Sequence, residues 1–452
     1  MYKLLGLFLL FTTAGFAQIK EVPLAFSDDL YEITESVLPS EIKASVTKLV
    51  SFGTRNTMSD TVSATRGIGA ARRWIKGRFD EISVDCKNCL QVEYQRTLVK
   101  GDAETRIKND TWVVNVIAIQ KAVPATNRYV IISGDIDSRA SDPTDGVTDA
   151  PGANDNASGM AAVIECARVL SNYSFHANVV YVGLSGEEQG LFGGKHLAAK
   201  ALEENWEIIG VLNNDMIGNI EGVDGVIDNQ SFRIFSEPTP VTELEEARRR
   251  RRFFGGEVDG VSRQLARYVE ALSRKYIADV KPMMIYRLDR FGRGGHHRPF
   301  NDMGFAGIRI METHENYNRQ HQNIREENGI KYGDVLRGVN FEYAAKLTRV
   351  NAITLAALAW APPAPQNLKI GGMVSPNTHL KWDKSDKEWL LGYKIYWRET
   401  TAAQWQYAKF VGNVNHFTLE NIVIDNYMFG VAAVGKDGTE SVVAFPIGLI
   451  RN

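Results

Sequence analysis

Four apolar runs in the middle of this 452-residue chain each stop at acidic residues, and that repetition constrains the fold more than any other feature. Arg128-Tyr-Val-Ile-Ile-Ser-Gly134 ends in Asp135-Ile-Asp137, and Asn178-Val-Val-Tyr-Val-Gly-Leu-Ser185 ends in Gly186-Glu187-Glu188. Ile208-Ile-Gly-Val-Leu-Asn-Asn214 runs into Asp215, and Gly307-Ile-Arg-Ile-Met311 into Glu312-Thr-His314. Runs that are apolar throughout belong to strands covered on both faces. Because they alternate with helical patterns at Asn156 to Leu170 and Gly194 to Glu203, they predict an α/β fold with a mostly parallel central sheet flanked by helices.

In such a sheet, ligands bind beyond the carboxyl ends of the strands. The acidic clusters therefore point to one rim. So many carboxylates in one cleft repel one another unless cations neutralise them, and a divalent metal does so most economically. Two adjacent glutamates divide naturally into one metal ligand and one general base, because successive side chains at a strand end face different ways. In Pro151-Gly-Ala-Asn-Asp155-Asn-Ala-Ser-Gly159 an aspartate sits in a glycine-rich turn just before a helix, where N-terminal N–H donors can fix an acid.

Composition limits the alternatives. Three cysteines and eight histidines cannot build a cysteine-rich zinc module, so a metal site must lean on carboxylates and a few imidazoles. A net charge of -2, from 52 basic and 54 acidic residues, removes the electrostatic case for nucleic-acid binding. Residues 1–17 read as a signal peptide: Lys3, an apolar stretch from Leu4 to Phe11, and a small-x-small site at Gly15-Phe16-Ala17. The mature chain is expected to be exported, secreted or periplasmic, with no membrane span. In that setting Cys86 and Cys89 read as a local disulfide and Cys166 as a buried thiol.

The texture changes at Pro362-Pro-Ala-Pro365, a candidate linker between a domain at 18–361 and a second at 362–452. Beyond it, Leu380-Lys-Trp382, Tyr393-Lys-Ile-Tyr-Trp397, Trp405-Gln-Tyr407, Phe417-Thr-Leu419 and Tyr427 to Val434 alternate as short strands do. Together they predict an all-β sandwich. Their order resembles a fibronectin type III module, with a spacing or substrate-attachment role or none beyond stability. The arginine run from Arg248 to Arg252, directly after Glu243-Leu-Glu-Glu246, reads as a solvated, charge-paired face.

Five motifs in order then carry a specific resemblance over roughly residues 40 to 360. Ser133-Gly-Asp-Ile-Asp-Ser-Arg139, Pro151 to Gly159, Gly186-Glu-Glu-Gln-Gly-Leu-Phe-Gly193, Asn214-Asp-Met-Ile-Gly218 and Gln320-His321-Gln322 resemble the bacterial leucyl aminopeptidase and aminopeptidase Y family of exported co-catalytic zinc peptidases, number 28 of the metallopeptidase families. The resemblance implies Zn²⁺ and peptide substrates. It implies that Asp155 bridges two metals, that Glu188 and His321 complete one site, and that Asp215 and the residue at 135 complete the other. Glu187 would be the general base acting on a metal-activated water, with Asp137 an acid behind the ligands rather than a ligand.

One position departs from the family. Where histidine is usual, this chain has Asp135, which leaves the second site three carboxylates. Such a set favours a harder ion such as Mn²⁺ or Mg²⁺, or weak filling. In Gly294-Gly-His-His-Arg-Pro-Phe300 a histidine stands where the family commonly has aspartate, so His296 and His297 are candidates to compensate. His297 is otherwise structural or substrate-contacting. Tyr317 is a candidate donor to the tetrahedral intermediate, with a packing role as the alternative. His314 is expected to be a spectator, and His176, His196, His379 and His416 structural. Two functions follow. One is a metal-dependent aminopeptidase; the other, resting on Asp135, is an impaired relative that binds peptides or surfaces.

Overall fold

The computed structural model describes residues 26–255 and 259–450; the leader read at residues 1–17 lies outside them. Eight strands form the main sheet: β1 (Leu90–Val99), β2 (Thr111–Gln120), β3 (Arg128–Asp135), β4 (Asn178–Leu184), β5 (Glu207–Asn214), β6 (Ser231–Ser236), β7 (Lys281–Ile285) and β8 (Gly307–Glu312). Their spatial order is β1-β2-β4-β3-β5-β8-β6-β7. The middle four, β4, β3, β5 and β8, run parallel. On the flanks β1 pairs with β2, β2 with β4 and β6 with β8 in antiparallel fashion. β6 and β7 pair in parallel, so the sheet is mixed, with its parallel centre where the apolar runs placed it and antiparallel pairings toward both edges. The connection between β1 and β2 spans only residues 100–110, which suits a hairpin better than a crossover through a helix.

Every residue of β3 and β4 is buried, and their side chains alternate between two cores. Val130 and Ile132 pack on the side of helices Gly67–Asp85, Ala157–Leu170 and Phe341–Trp360. Tyr129 and Ile131 face the other way, toward Leu197, Ala198 and Ala201 of helix Phe192–Glu203. There Trp206 stacks on Tyr129 with ring centroids 4.1 Å apart. Each such side chain removed from water contributes about 1.5–3 kcal/mol. The double cover explains why the strands lack polar alternation.

Two glycines let the helix start press against the strand ends. A Cβ on Gly134, at the end of β3, would lie 2.6 Å from the carbonyl carbon of Gly159, and one on Gly159 would lie 2.2 Å from the carbonyl oxygen of Asn214. Any side chain at either position would push the Asp155 turn away from the carboxyl ends of β3 and β5.

After a short hairpin, β9 (Arg325–Glu327) with β10 (Ile330–Tyr332), and the helix Phe341–Trp360, the chain becomes all β. β11 (Gln366–Gly371), β12 (Thr378–Asp383), β13 (Leu390–Glu399), β14 (Tyr407–Gly412), β15 (His416–Leu419), β16 (Tyr427–Gly435) and β17 (Gly448–Leu449) form two sheets, ordered β15-β12-β11-β17 and β14-β13-β16. Leu368, Trp382, Tyr393, Ile395, Phe429 and Val431 form a core of their own. The run expected as a strand from Trp405 begins only at Tyr407, and the Trp405 ring packs near those of Tyr396 and Phe445.

The C-terminal sheets dock through a buried charge cluster. Asp259 accepts from Arg267 at 2.5 Å and from Arg398 of β13 at 2.7 Å, with all three side chains at most 3% exposed. His176 also stacks on Trp389 at 4.1 Å. The arginine run lies on the helix Glu245–Phe254, where Arg248 and Arg249 pair with Glu245, Arg250 with Glu246 and Arg251 with Glu243. Cys86 and Cys89 form a disulfide, and Cys166 is a buried free thiol. Among the described residues no helix is long and apolar enough to cross a membrane.

Candidate metal centre

Beyond the carboxyl ends of the parallel strands lies a cleft of about 940 Å³, lined among others by Asp155, Glu187, Glu188, Asp215, Tyr317 and His321. Asp155 comes from the turn before helix Ala157–Leu170, Glu187 and Glu188 from the turn after β4, and Asp215 from the residue after β5. His321 enters from a loop, with φ at 56°, a left-handed conformation that a non-glycine residue holds only when its surroundings require it.

These elements bring three of the expected ligands together. His321 Nε2 lies 2.9 Å from Asp155 Oδ2 and 3.0 Å from Glu188 Oε1. Their ligand-type atoms all lie within 4.8 Å of one another, the only such trio found among the described residues. Burial opposes the charge of His321, but Glu188 and Asp155 outweigh it and raise its pKa to about 10. Burial likewise opposes ionisation of Asp155, and His321, Arg290 and Arg309 outweigh it, holding the carboxyl well below its usual range. The convergence of these three atoms leaves one point at which a divalent cation could meet all of them. One imidazole and two carboxylates with an open side toward the cleft form the donor set of a catalytic zinc site, so the residues fit the ion.

Glu187 borders the same cleft. Burial, together with Asp215, Glu188 and Asp135, pushes its carboxyl well above the usual value. Asp137 lies behind the glutamate pair and accepts the backbone N–H groups of Glu187 at 3.2 Å and Glu188 at 3.1 Å. Arg139 approaches Glu188 at 3.6 Å. Tyr317 is 55% exposed at the cleft, so the alternative of a buried packing residue does not hold.

The other half of the expected pair is arranged differently. Asp135 Oδ1 lies 2.5 Å from His296 Nδ1, and its Oδ2 accepts from Asn156 Nδ2 at 2.7 Å. Burial, with Asp215 and Asp137, pushes the Asp135 carboxyl well above its usual pKa. Asp215 Oδ2 pairs with Arg309 at 2.9 Å, and Arg309 also takes the Asp215 carbonyl and the Asp289 carboxylate. Burial raises Asp215 to about 6 although Arg309 pulls it down. His297 points elsewhere, toward the carbonyl of Leu288 at 2.8 Å and Asp289 at 3.6 Å. Burial lowers both His296 and His297 to about 4, so both are neutral in the ordinary pH range.

Several contributors escaped the sequence reading. Asp334 accepts the backbone N–H groups of Asn154 at 2.9 Å and Asp155 at 2.7 Å, and Asn156 satisfies Asp135 and the carbonyl of Asn214 together. Glu312, expected at the shared rim, instead accepts from Asn154 at 2.9 Å and from the backbone of Asn219 at 2.7 Å. Arg309 had a visible signal: a charged residue inside an otherwise apolar strand run must have a buried partner. Asp334 lies in a loop with no such mark. His314 reaches toward Asp228 at 3.8 Å and does not line the cleft.

Comparison with known proteins follows the same lines. A sequence profile described as peptidase family M28 matches residues 115–335. A probable zinc metalloprotease of the fungus Pyrenophora tritici-repentis is 36% identical over 430 residues, covering 94% of this chain and 99% of the relative. Another from Leptosphaeria maculans is 37% identical over 433 residues, covering 96% and 99%. Both alignments take in most of the C-terminal sheets as well. Among solved structures, an aminopeptidase of Legionella pneumophila superposes with a TM-score of 0.55 at 18% identity, over 77% of this chain and 79% of that one, a likeness of fold.

Proposed function

The chain belongs to peptidase family M28, and on that premise we propose that it is an exported zinc-dependent aminopeptidase acting on short peptides. The observation that carries this reading is the convergence of Asp155, Glu188 and His321 on one point of the cleft, with Glu187 beside them. A zinc ion held by Asp155, Glu188 and His321 would supply Lewis acidity for the scissile carbonyl and for the attacking water. Glu187, which is not part of the ligand trio, receives the water's proton and passes it to the leaving nitrogen. Asp137 accepts both backbone N–H groups of the glutamate pair, which would keep Glu188 turned to the ion and Glu187 free for the proton. The carboxylate-rich floor also gives the substrate's terminal ammonium an anionic seat.

The rim carries the opposite charge. Arg106, Lys108, Lys195, Arg293 and Arg298 line the cleft and outnumber the acids Glu104 and Asp302 beside them. These cations offer partners for the C-terminal carboxylate of a short peptide bound in the cleft. Export rests on the segment at residues 1–17, and the Cys86–Cys89 disulfide suits an oxidising compartment. A boundary near 362 is supported by the separate core of the C-terminal sheets, and their four- and three-stranded arrangement supports a fibronectin type III-like module.

The deciding experiment is release of free N-terminal residues from a panel of di- to tetrapeptides by purified protein, before and after chelation and zinc restoration. Activity lost on chelation and regained with zinc is the expected result. Hydrolysis that survives chelation would overturn the metal reading, and zinc-loaded protein inactive across the panel would favour the peptide-binding alternative.

A further inference from the structure

We infer that this chain holds a single catalytic ion, at Asp155, Glu188 and His321, and that the guanidinium of Arg309 is the fixed cation that compensates the carboxylates at the position of the family's second ion. This rests on the proposed zinc site and adds a statement about how many ions the cleft can take. A second ion would need donors from Asp135, Asp155 and Asp215. Each oxygen of Asp135 already has a buried partner with which an ion would compete: Oδ1 faces His296 Nδ1 at 2.5 Å and Oδ2 accepts from Asn156 at 2.7 Å. Asn156 cannot turn away without cost, because its amide also donates to the carbonyl of Asn214 at 2.7 Å and its oxygen accepts from the backbone of Gly159 at 3.1 Å. His296 is fully buried, so its ring cannot swing into solvent to release Asp135.

At Asp215 the cation is already in place. Arg309 on β8 is fully buried, and it grips Asp215 Oδ2 at 2.9 Å and the Asp215 carbonyl at 2.9 Å. Its remaining terminal nitrogen meets Asp289 Oδ2 at 3.0 Å and the Gly294 carbonyl at 3.1 Å. A guanidinium fixed on both sides in this way stays charged and cannot leave. A divalent ion placed against Asp215 would face that charge without intervening solvent. The three aspartates therefore offer no donor set comparable to the Asp155, Glu188 and His321 trio, which is the only one of its kind among the described residues.

The test is zinc stoichiometry on the full-length metal-free protein, by calorimetric titration and by elemental analysis after desalting. The expected result is one zinc per chain for the parent, one for Asp135→Asn and Asp215→Asn, and none for His321→Ala. Two ions in the parent, with either aspartate variant falling to one, would overturn the single-ion inference and leave the proposed function standing. No ion in the parent, or an undiminished one in His321→Ala, would sink the zinc site itself. Asp135→Asn keeps the size of the side chain, so it remains informative if Asp215→Asn fails to fold. Arg309→Gln, checked for folding by circular dichroism, should gain a second, weaker ion. A folded variant that still takes only one would remove Arg309 from the account.

Discussion

The carboxylate of Asp334 accepts the backbone N–H of Asp155 at 2.7 Å, so a loop far down the chain holds the turn that presents a central acid of the cleft. It holds the neighbouring Asn154 N–H as well, at 2.9 Å, and Asp334 itself is buried. Asp334→Ala strands two buried donors, at about 1–3 kcal/mol each. It should also weaken zinc binding by about 10–100-fold, the usual cost of losing a group that positions a ligand. Thermal denaturation and a zinc titration of the same preparation check both; unchanged zinc affinity in a destabilised variant would show that the turn does not need this anchor.

Glu187→Gln should separate catalysis from metal binding. With the ligand trio intact, zinc content stays at the parent level while kcat falls by about 10²–10⁴-fold. His321→Ala should lose both. If Glu187→Gln retains most of its kcat, proton transfer is carried by another group.

Glu312 makes stability depend on pH. Burial lifts its carboxyl to about 8 from an ordinary 4.5, against the pull of hydrogen bonds from Asn219 and Asn154. Between these values the native state keeps a proton that the unfolded chain has released. Stability from this group is therefore fully present below the unfolded value and is lost as pH rises through about 8, at about 1.4 kcal/mol per unit of difference. Glu312→Gln removes that decline. Urea unfolding at acidic and mildly alkaline pH should show the variant gaining on the parent as pH rises, and a difference independent of pH would contradict the assignment.

The basic rim predicts a preference for free carboxylates. Exposed charge pairs contribute about 0.2–1 kcal/mol each, so tripeptides with a free C-terminus should show KM lower by several-fold than their amides. The gap should narrow as salt is added. Equal KM values for acid and amide at low salt would rule out the rim as a recognition element.

Asp259 neutralises Arg267 and Arg398 in a setting closed to solvent. Its replacement by alanine leaves two buried guanidinium groups without their shared carboxylate, a loss of about 3–5 kcal/mol. Calorimetry should show a lower melting temperature or a split transition as the C-terminal sheets come loose. A single transition at the parent temperature would show that docking does not depend on this cluster.

Much of the architecture was legible in the amino-acid order because it depends on local pattern. Apolar runs without polar alternation mark strands covered on both faces, and β3, β4, β5 and β8 lie where those runs do. The glycine-rich turn before helix Ala157–Leu170 was likewise readable, since glycine permits a close approach that no other residue allows. The antiparallel flanks were not readable, because a run's direction in a sheet is set by its neighbours and not by its own composition.

By itself the sequence determined which acids follow the strands. Only the tertiary structure decided what each of them does there. Asp155 and Glu188 converge on His321, Glu312 turns to Asn154 and Asn219, Asp135 closes on His296 and Asn156, and Asp215 meets Arg309. The physical reason is that a buried carboxylate takes its role from the donors and cations packed against it. Those partners come from segments whose proximity no local pattern encodes.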